Sequence, residues 1–404
     1  TLSLHDALPI WPFWLINDGL LFHYPKLHHH TESEVVIIGG GISGALTAYF
    51  LTEAGIDCVL IDKRSIGLGS TCASTSLLQY ELDIPLHLLS KKIGWNAASR
   101  TYQLCGEAIE ILISIMTNIG YKEFEERNSL FFSTYRKEMQ FIQDECKARR
   151  DAGFIVDILC KDELKKNFGL AAESGILSVK GASVNAYSLT HALLQYSMEK
   201  GLRVYDDTEI VAITHRKNFS EIKTNTGNTI KAGKVINATG YEVVNFIGKN
   251  IVDFYCTYAA ISQEDQQGKN IWKNHALLWN TDDPYVYLRC TNDDRIIIGG
   301  HDVRFSNKVT RDIFLERKTR MLEKDFSRLF PHHSFQTAFS WCGTFGKTKD
   351  SLPYIGNYKQ TYYALGFGGN GITFSVIAAK LLCELFQGKR NPDAAIFSFE
   401  RKSV

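Results

Sequence analysis

The chain has 404 residues, more than one simple hydrophobic core organises, so two domains are expected. Hydrophobic residues make up 45% and charged residues 22% of the chain, as in an ordinary soluble globular protein. The formal net charge of +1 gives no electrostatic reason to expect a nucleic acid or an acidic membrane surface as a partner.

Nine cysteines are scattered along the chain, and no two of them form a C-x-x-C pair. This odd, unpaired set favours reduced thiols in a cytoplasmic protein over a disulfide framework or a zinc site. His28, His29 and His30 are the other candidates for metal binding, but a solvated loop is favoured there. We therefore expect no metal ion.

The N-terminal residues precede the first predicted strand. TLSLHDALPI, residues 1–10, resembles a translated sequencing adapter and is left out of the fold argument. The aromatic stretch that follows is interrupted by Asn17 and Asp18 and is too short to span a bilayer. We expect no integral membrane segment. Packing along a domain surface is favoured over contact with a membrane surface.

Residues 35–62 contain the most informative pattern of the chain, a complete β-α-β unit. Val35–Ile38 form a short apolar strand, a helical pattern runs from Ile42 to about Glu53, and a second apolar strand covers Cys58–Ile61. Asp62 ends that second strand. This layout is typical of a dinucleotide-binding site.

Three glycines in G-x-G-x-x-G spacing join the first strand to the helix. Gly39 permits a tight turn, Gly41 allows the backbone to approach a pyrophosphate, and Gly44 allows the helix to lie close to the strand. The helix N-terminus favours phosphate, and Asp62 would accept hydrogen bonds from a ribose diol while repelling a 2′-phosphate. The pattern predicts FAD or NAD rather than NADP. The alternative is an ordinary βαβ crossover with a glycine-rich turn.

The middle of the chain mixes helices and strands. Small residues dominate Gly67–Ser76, as expected where backbone passes close to a ligand. Residues 91–150 are predicted to be mainly helical, because apolar residues recur at three- and four-residue spacing. Residues 130–134 and 175–179 are predicted strands, and a second βα pattern covers residues 182–213.

KVINATG is a second informative motif. It predicts a buried strand that ends in residues small enough to touch a cofactor. A hairpin with Gly227 at its turn precedes it. Further along, YVYLRC and RIIIGGHD flank a polar NDD turn, which is typical of an antiparallel hairpin. A charged amphipathic helix is predicted over residues 310–328.

Near the C-terminus, the predicted strand YYALGF leads into GGNG and then into a long apolar helix ended by Gly388. The helix N-terminus again presents N–H groups to an anionic or strongly dipolar group. A simple NAD dehydrogenase needs no such second site. A flavin does, because reduction gathers negative charge at its N1 and C2 carbonyl. A plain strand-to-helix turn is the alternative.

Together these motifs resemble the FAD-dependent D-amino acid oxidase-like superfamily, which includes glycine oxidase, sarcosine oxidase and γ-glutamylputrescine oxidase. The resemblance covers about residues 33–400. It rests on the G-x-G-x-x-G turn with Asp62, and on GSTCASTSLLQYE, NATG, RCTNDDRIIIGGHD, TKDSLPYIG and GFGGNGITFS. These motifs are specific for the superfamily and do not fix the substrate.

The resemblance implies an α/β fold with two domains. One is a Rossmann-like FAD-binding domain, and the other is a substrate domain built on a large mixed, mainly antiparallel sheet. Residues 1–31 form an N-terminal extension. The expected FAD-binding segments are 32–90, 175–245 and 340–404, and the expected substrate-domain segments are 91–174 and 246–339.

The resemblance also assigns residues to FAD, the cofactor that it implies. Asp62 would hold the ribose, Lys63 and Arg64 would flank the AMP half, and Ile210 would meet adenine through its backbone. The residues carried over as cofactor-binding are Gly39, Gly41, Ile42, Ser43, Gly44, Asp62, Lys63, Arg64, Ser70, Thr71, Ala73, Ser74, Ile210, Ala238, Thr239, Gly240, Gly343, Gly368, Gly369, Asn370, Gly371, Ile372 and Thr373.

Some members of the superfamily bind flavin covalently through a cysteine near the C-terminal motif. Cys342 lies close to that place but one position away from it. Non-covalent binding, with Cys342 as a small residue packed near the flavin, is therefore the expectation.

Members of the superfamily remove a hydride from the carbon next to an amine, and the resulting imine is hydrolysed. Reduced flavin then passes electrons to O2 or to another acceptor. The amine must be neutral so that its lone pair can expel the hydride, and positioning and electrostatics can carry the rate without a strong base. The implied substrate is a small amine, such as a D-amino acid, glycine or an N-methyl amino acid.

A substrate with a carboxylate favours a bidentate arginine. Glycine oxidase-like sequences carry an arginine shortly before the TKD-like motif. Phe345 stands at that place in this chain, with Lys347 nearby. This departure weakens the case for an ordinary amino acid.

Arg289 is the candidate replacement for that arginine, with Tyr285 or Tyr287 as hydroxyl donors. The alternative is that Arg289 braces its own hairpin through Asp294 or Asp302. His301 follows a Gly-Gly pair and is a candidate to face the flavin, although a structural role is favoured. Trp341 and Phe367 are candidate walls of the site, and plain packing is their alternative.

Three functional hypotheses follow. The first is a flavin-dependent amine or amino acid oxidase that uses O2. The second is a flavin-dependent dehydrogenase that passes electrons to a quinone or a protein. The third is a flavoprotein without turnover of its own. An NAD enzyme is a distant fourth. The sequence does not indicate the oligomeric state.

Overall fold

The computed structural model describes residues 12–243, 251–264, 271–305 and 307–401. The α-helices are α1 Phe13–Asp18, α2 Ile42–Glu53, α3 Ser70–Ala73, α4 Leu86–Ile93, α5 Trp95–Asn118, α6 Met139–Asp151, α7 Lys161–Phe168, α8 Ala186–Glu199, α9 Lys308–Leu329 and α10 Gly371–Phe386. The strands are β1 Thr31–Ile38, β2 Cys58–Ile61, β3 Leu77–Gln79, β4 Phe124–Glu126, β5 Ser129–Ser133, β6 Val156–Cys160, β7 Ser174–Ser178, β8 Gly181–Val184, β9 Arg203–Tyr205, β10 Ile210–His215, β11 Ser220–Thr224, β12 Thr229–Asn237, β13 Asp253–Ser262, β14 Leu277–Asn280, β15 Val286–Cys290, β16 Ile296–Arg304, β17 Thr337–Lys347, β18 Tyr354–Tyr358 and β19 Thr361–Leu365.

The first sheet has eight strands and carries β1 near its centre. Its order is β10-β11-β12-β1-β2-β9, while β19 pairs with β12 and β18 pairs with β19. The strand β1 is parallel to both β12 and β2. Val35 and Ile37 pack into one apolar cluster, and Val36 and Ile38 pack into another. Both faces of the central strand are therefore covered, as is usual in parallel sheets.

Helices cover one face of this sheet. The helix α2 packs against α8 and α10, and α5 also packs against α10. Their apolar side chains, such as Leu46, Leu112 and Val376, share one continuous core. The predicted β-α-β unit is confirmed, with α2 ending just before Gly55, whose φ of +73° stops the helix.

The second sheet also has eight strands, in the order β17-β13-β16-β15-β14-β5-β7-β6. The pair β14–β5 is parallel, and the other neighbouring pairs are antiparallel. Leu322 and Phe326 of α9 pack with Tyr258 and Ile298 of this sheet. The expected large, mixed and mainly antiparallel sheet is confirmed. A third sheet of three short strands has the order β3-β8-β4.

Both hairpins expected from the sequence are present. The strands β11 and β12 pair antiparallel around a turn at Gly227, whose φ is +79°. The strands β15 and β16 pair antiparallel around the NDD turn, where Asp294 has a φ of +60°. The amphipathic helix expected over residues 310–328 is α9.

The sheets do not follow the expected domain boundaries at every point. The helix α5, expected in the substrate domain, packs into the core that covers the first sheet. The strand β7, expected for the most part in the FAD-binding domain, lies in the second sheet, and the boundary expected at residue 340 falls inside β17. The division into two domains stays a prediction.

The N-terminal aromatic stretch packs against the rest of the molecule, as expected. Phe13 and Trp14 are buried in a cluster that also holds Ala73, Tyr187 and Trp341. Among the described residues, no helix combines the length and the apolar character needed to cross a bilayer.

Candidate functional site

A cleft of about 420 Å³ is lined by residues of both large sheets. The carboxyl ends of β1, β2 and β12 form one side, and β13, β15, β16 and β17 contribute residues to the other. Every residue expected to bind the cofactor lines this cleft except Gly44. They are Gly39, Gly41, Ile42, Ser43, Asp62, Lys63, Arg64, Ser70, Thr71, Ala73, Ser74, Ile210, Ala238, Thr239, Gly240, Gly343, Gly368, Gly369, Asn370, Gly371, Ile372 and Thr373.

The first glycine turn is built by close backbone packing. Gly39 has a φ of +109°, and a Cβ atom there would lie 2.6 Å from the carbonyl oxygen of Ala238. A Cβ atom on Gly44 would lie 1.9 Å from the carbonyl oxygen of Gly39. Gly44 therefore contributes from outside the cleft, because its missing side chain lets α2 approach the turn.

Asp62 is held rigidly at the end of β2. One carboxylate oxygen accepts a hydrogen bond from the Gly40 N–H at 2.7 Å, and the other accepts one from the Arg64 N–H at 2.9 Å. Desolvation raises the pKa of Asp62, and these two N–H groups oppose the rise. The carboxylate is thus fixed in position where it lines the cleft.

Lys63 and Arg64 share one acidic partner. Glu242 lies 2.7 Å from the Lys63 ammonium and 3.0 Å from the Arg64 guanidinium. Glu242 lines the cleft and sits in a short 3₁₀ helix, Gly240–Val243, which begins at the last residue of NATG. Sequence reasoning missed Glu242; the signal was an acid two residues beyond that motif.

The segment Gly67–Ser76 crosses the cleft and is anchored at both sides. The Ser70 hydroxyl donates to the carbonyl oxygen of Thr344 on β17 at 2.9 Å. The Thr71 hydroxyl accepts from the Ile42 N–H of α2 at 3.0 Å. The segment therefore ties the N-terminus of α2 to the second sheet.

The C-terminal glycine turn is fixed by contacts with the segment that follows β3. The Asn370 amide donates to the carbonyl oxygen of Glu81 at 2.7 Å. The Asp83 carboxylate accepts from the Gly369 N–H at 3.1 Å and from the Tyr285 hydroxyl at 2.9 Å. Asp83 lines the cleft, and sequence reasoning missed it because nothing local marks it.

Aromatic residues wall the end of the cleft beside β15 and β17. Trp279, Tyr285, Tyr287, Phe345 and Phe367 all line it. The Tyr287 hydroxyl shares a hydrogen bond of 3.2 Å with Thr257, and desolvation raises the pKa of Tyr287 to about 12. We call this part of the cleft the aromatic end.

Asp302 is an acidic group at the aromatic end. The pKa of its carboxyl is raised to about 6, mainly by desolvation; the nearby charge of Asp83 adds to the rise, while Thr257 and Lys347 oppose it. Asp302 lines the cleft, whereas Lys347 does not line it. Sequence reasoning singled out the neighbouring His301 for the site and considered Asp302 only as a bracing partner of Arg289.

His301 faces away from the cleft. Its Nε2 lies 2.6 Å from the Asp325 carboxylate on α9, and His301 is absent from the cleft lining. Gly300 and His301 have φ values of +143° and +56°, so the alternation of β16 is broken at this point. This irregularity is the reason that Asp302, rather than His301, faces the cleft. A structural role for His301, the favoured reading, gains support.

Arg289 does not line the cleft either. Its guanidinium is buried, and one Nη donates to the carbonyl oxygens of Ser76 and Val184, both at 3.1 Å. Desolvation lowers the pKa of Arg289 to about 10. A role in binding a substrate carboxylate gains no support, and the bracing contact is to these carbonyls rather than to Asp294 or Asp302. Of the candidate catalytic residues Arg289, Tyr287, His301 and Lys347, Tyr287 lines the cleft, as does Tyr285, the alternative hydroxyl donor.

The residues around Cys342 alternate across β17. Trp341 and Gly343 line the cleft, whereas the Cys342 side chain is buried in the cluster that holds Phe326 of α9. The thiol is therefore on the face of the sheet opposite the cleft. This position supports non-covalent cofactor binding.

The cleft suits FAD on structural grounds. Two helix N-termini, those of α2 and α10, meet the same cavity, and each favours a negatively charged group. A fixed carboxylate, Asp62, stands at one end, and an aromatic wall stands at the other. Gly41 lines this space, and a Cβ atom there would crowd the Thr71 hydroxyl at 2.9 Å.

The comparison with known proteins agrees with this geometry. A family model described as DAO, FAD dependent oxidoreductase, matches residues 34–385. The chain belongs to the DAO family of FAD-dependent oxidoreductases, as its motifs predicted.

Several curated proteins are similar over most of their length. The chain is 26% identical to a putative Rieske 2Fe-2S iron-sulfur protein of Bacillus subtilis, over 94% of this chain and 73% of that protein. It is 21% identical to the gamma-glutamylputrescine oxidoreductase of Escherichia coli, over 90% and 86% of the two chains. It is 23% identical to the glycine oxidase of Geobacillus kaustophilus, over 91% and 97%.

Solved structures share the fold. Glycine oxidase from Geobacillus kaustophilus superposes with a TM-score of 0.75 at 20% identity, covering 92% of this chain and 99% of that chain. L-proline dehydrogenase from P. horikoshii superposes with a TM-score of 0.74 at 21% identity, covering 91% and 97%.

Proposed function

We propose that this protein oxidises a small amine at the carbon next to its nitrogen and that O2 is the final electron acceptor. FAD, when bound, supplies the acceptor for the hydride that leaves this carbon. The nitrogen lone pair then forms the C=N bond, and water hydrolyses the imine to a carbonyl compound and a free amine or ammonia. Family membership and the amino acid and amine enzymes among the relatives support this reaction class.

The observation that carries the choice of substrate is the charge of the cleft lining. Among the residues that the structure describes, Lys63 and Arg64 are the basic residues that line the cleft, and both are paired with Glu242 at the AMP end. Asp83 and Asp302 are the charged residues that line the aromatic end, and Lys347 acts on Asp302 from outside the lining. An α-carboxylate would meet repulsion there, so we favour an amine without a free carboxylate beside the reacting carbon.

The side chains at the aromatic end have defined tasks in this proposal. The Asp302 carboxylate attracts the ammonium form of the substrate and can accept its proton, because its pKa of about 6 lies closer to neutrality than that of an ordinary aspartate. Tyr287 and Phe345 exclude water and orient the carbon chain. The neutral amine that results is the form that can release a hydride.

The test is anaerobic reduction of the FAD-loaded protein with paired substrates. Each amine is compared with its α-carboxylated counterpart, for example benzylamine with phenylglycine, and the loss of visible flavin absorbance is recorded. The proposal predicts faster bleaching by the amine of each pair. Faster bleaching by the amino acids would overturn the substrate choice, and Asp302→Asn is expected to slow bleaching by amines.

A second candidate is a dehydrogenase that passes electrons to a protein partner instead of O2. The similarity to a protein named for a Rieske 2Fe-2S centre favours this alternative, because that protein extends beyond the region aligned here. Peroxide measurement on admission of air separates the two. Bleaching followed by stoichiometric peroxide supports the oxidase, and bleaching that air reverses slowly and without peroxide supports the dehydrogenase. If no amine bleaches the flavin, the result supports the third hypothesis, a flavoprotein without turnover of its own.

A further inference from the structure

Three buried donors converge on the short backbone segment Ala73–Ser76. The Trp341 indole N–H donates to the carbonyl oxygen of Ala73 at 2.9 Å, and the Trp14 indole N–H donates to that of Ser74 at 2.7 Å. The Arg289 guanidinium donates to the carbonyl oxygen of Ser76 at 3.1 Å. We call these three side chains the carbonyl clamp.

The clamp draws its members from distant parts of the chain. Trp14 belongs to α1, Arg289 to β15 and Trp341 to β17. Ring contacts link α1 to the other two clamp residues. The Arg289 guanidinium lies 5.2 Å from the Trp14 ring centroid, and Phe13 stacks on Trp341 with ring centroids 6.4 Å apart. The N-terminal helix α1 therefore packs against the segment Ala73–Ser76 together with β15 and β17.

The clamped segment forms part of the cofactor cleft. Ala73, Ser74 and Ser76 all line it, although Trp14 and Arg289 do not. Ser76 has a φ of +56°, a left-handed conformation that serine adopts at an energetic cost. The hydrogen bond from Arg289 offsets that cost, because it gives the buried Ser76 carbonyl a charged donor.

Burying the Arg289 guanidinium costs free energy, because the charge loses its hydration and no carboxylate is among its described hydrogen-bond acceptors. The side chain is 3% exposed, and Nε has no hydrogen-bond partner among the described residues. Its described hydrogen-bond acceptors are the carbonyl oxygens of Ser76 and Val184, not a carboxylate. A buried cation that donates hydrogen bonds to two backbone carbonyls fixes the conformation of the backbone there.

We propose that the carbonyl clamp is a positioning device for FAD, in which the N-terminal helix, through Trp14, fixes the Ala73–Ser76 backbone in its cofactor-binding conformation. The clamp residues do not touch the cleft contents directly, apart from Trp341, which lines it. Loss of one donor weakens the hold on its carbonyl and lets the segment relax, because the donors that remain, the Ser76 hydroxyl on the Ser74 carbonyl at 3.5 Å and the Val184 N–H on the Ser76 carbonyl at 3.4 Å, are long. The affinity for FAD then falls, in addition to any loss of stability.

The test compares two Trp→Phe substitutions in the protein from which FAD has been removed. Trp14→Phe keeps the packed ring and removes the N–H. Trp272→Phe is the matched control, because its indole N–H also donates to a buried carbonyl, that of Ala276 at 2.8 Å, in a part of the second sheet's core outside the cleft. FAD affinity is measured by quenching of flavin fluorescence, and the melting temperature of each apo-protein is measured by calorimetry.

We expect both variants to melt at a lower temperature and only Trp14→Phe to weaken FAD binding, by about fivefold, the value of one net hydrogen bond. Equal FAD affinity in Trp14→Phe and in the parent protein would overturn the proposal. If Trp14→Phe fails to fold, Trp341→Phe removes the neighbouring donor and is judged by the same two measurements. Unchanged FAD affinity in that folded variant would also overturn it.

Discussion

The Ser43 hydroxyl lies 2.6 Å from the Ser375 hydroxyl, although 332 positions separate the two residues in the chain. Ser43 is in the first turn of α2, and Ser375 is in the first turns of α10, where its hydroxyl also hydrogen-bonds to the Gly371 carbonyl oxygen. The contact aligns two helix N-termini on one cavity. The cofactor site is therefore assembled from two glycine turns that lie far apart in the sequence.

Gly44→Ala should disrupt the start of α2. The new Cβ atom would lie 1.9 Å from the Gly39 carbonyl oxygen, so the helix or the turn must shift. We expect the free energy of unfolding to fall by about 3 kcal/mol, measured by urea denaturation. Gly106→Ala in α5 is the control, because its nearest neighbour would be the Phe154 side chain at 3.3 Å. A Gly44 variant as stable as the Gly106 variant would contradict this packing argument.

Arg149 holds two buried carboxylates together. Its guanidinium lies 2.7 Å from Glu145 and 3.2 Å from Glu81, and all three side chains are fully buried. Arg149→Met leaves both acids without their cation and should lower the free energy of unfolding by about 3–5 kcal/mol. Lys147→Met on the same helix removes an exposed ion pair with Asp151 and should cost less than about 1 kcal/mol. Denaturant unfolding of both variants checks the contrast.

The cofactor end of the cleft could be predicted because it is encoded locally. Gly39, Gly41 and Asp62 act through backbone geometry within one β-α-β unit, and the glycine turn before α10 acts in the same way. Their positions follow from short motifs, so a single sequence was sufficient. Gly44 could be predicted for the same reason, because it only has to let α2 lie close to the neighbouring glycine turn.

The aromatic end could not be predicted in this way. Asp83 reaches Gly369 and Tyr285 only after strands from distant parts of the chain are in register. The break in strand alternation at His301 also reverses which residue of the GGHD motif faces the cleft. Arg289 had the charge expected of a carboxylate ligand, but the fold uses it against backbone carbonyls. These side-chain positions depend on tertiary packing, which the hydrophobic periodicity of the sequence does not indicate.

Cys342 gives a prediction about the cofactor bond. Because its thiol is buried on the side of β17 away from the cleft, acid precipitation of the FAD-loaded protein should release all of its flavin into the supernatant. Cys342→Ser should bind flavin in the same stoichiometry. Flavin absorbance in the precipitated pellet of the parent protein, and its loss in the variant, would show a covalent bond instead.

Asp302 predicts a pH dependence of stability. Its pKa is about 6 in the folded protein against an ordinary value of 3.8, so the folded state binds more protons than the unfolded state between these values. Stability contributed by this group is therefore present below about pH 4 and is lost as the pH rises towards 6. Asp302→Asn should remove the loss, and the variant should gain up to about 3 kcal/mol relative to the parent as the pH rises from 4.5 to 7.

The measurement is urea unfolding of the apo-protein and the variant at several pH values across this range. Asp157→Asn serves as the control, because Asp157 is exposed on β6 and its replacement should leave the pH profile unchanged. The affinity for an amine should change with pH in the opposite direction to the stability. It should fall as the pH drops below about 6, because protonation of Asp302 removes the negative charge that attracts an ammonium group. If the parent and Asp302→Asn have parallel stability profiles, the Asp302 carboxyl does not titrate near pH 6, and its assignment as the proton acceptor fails with it.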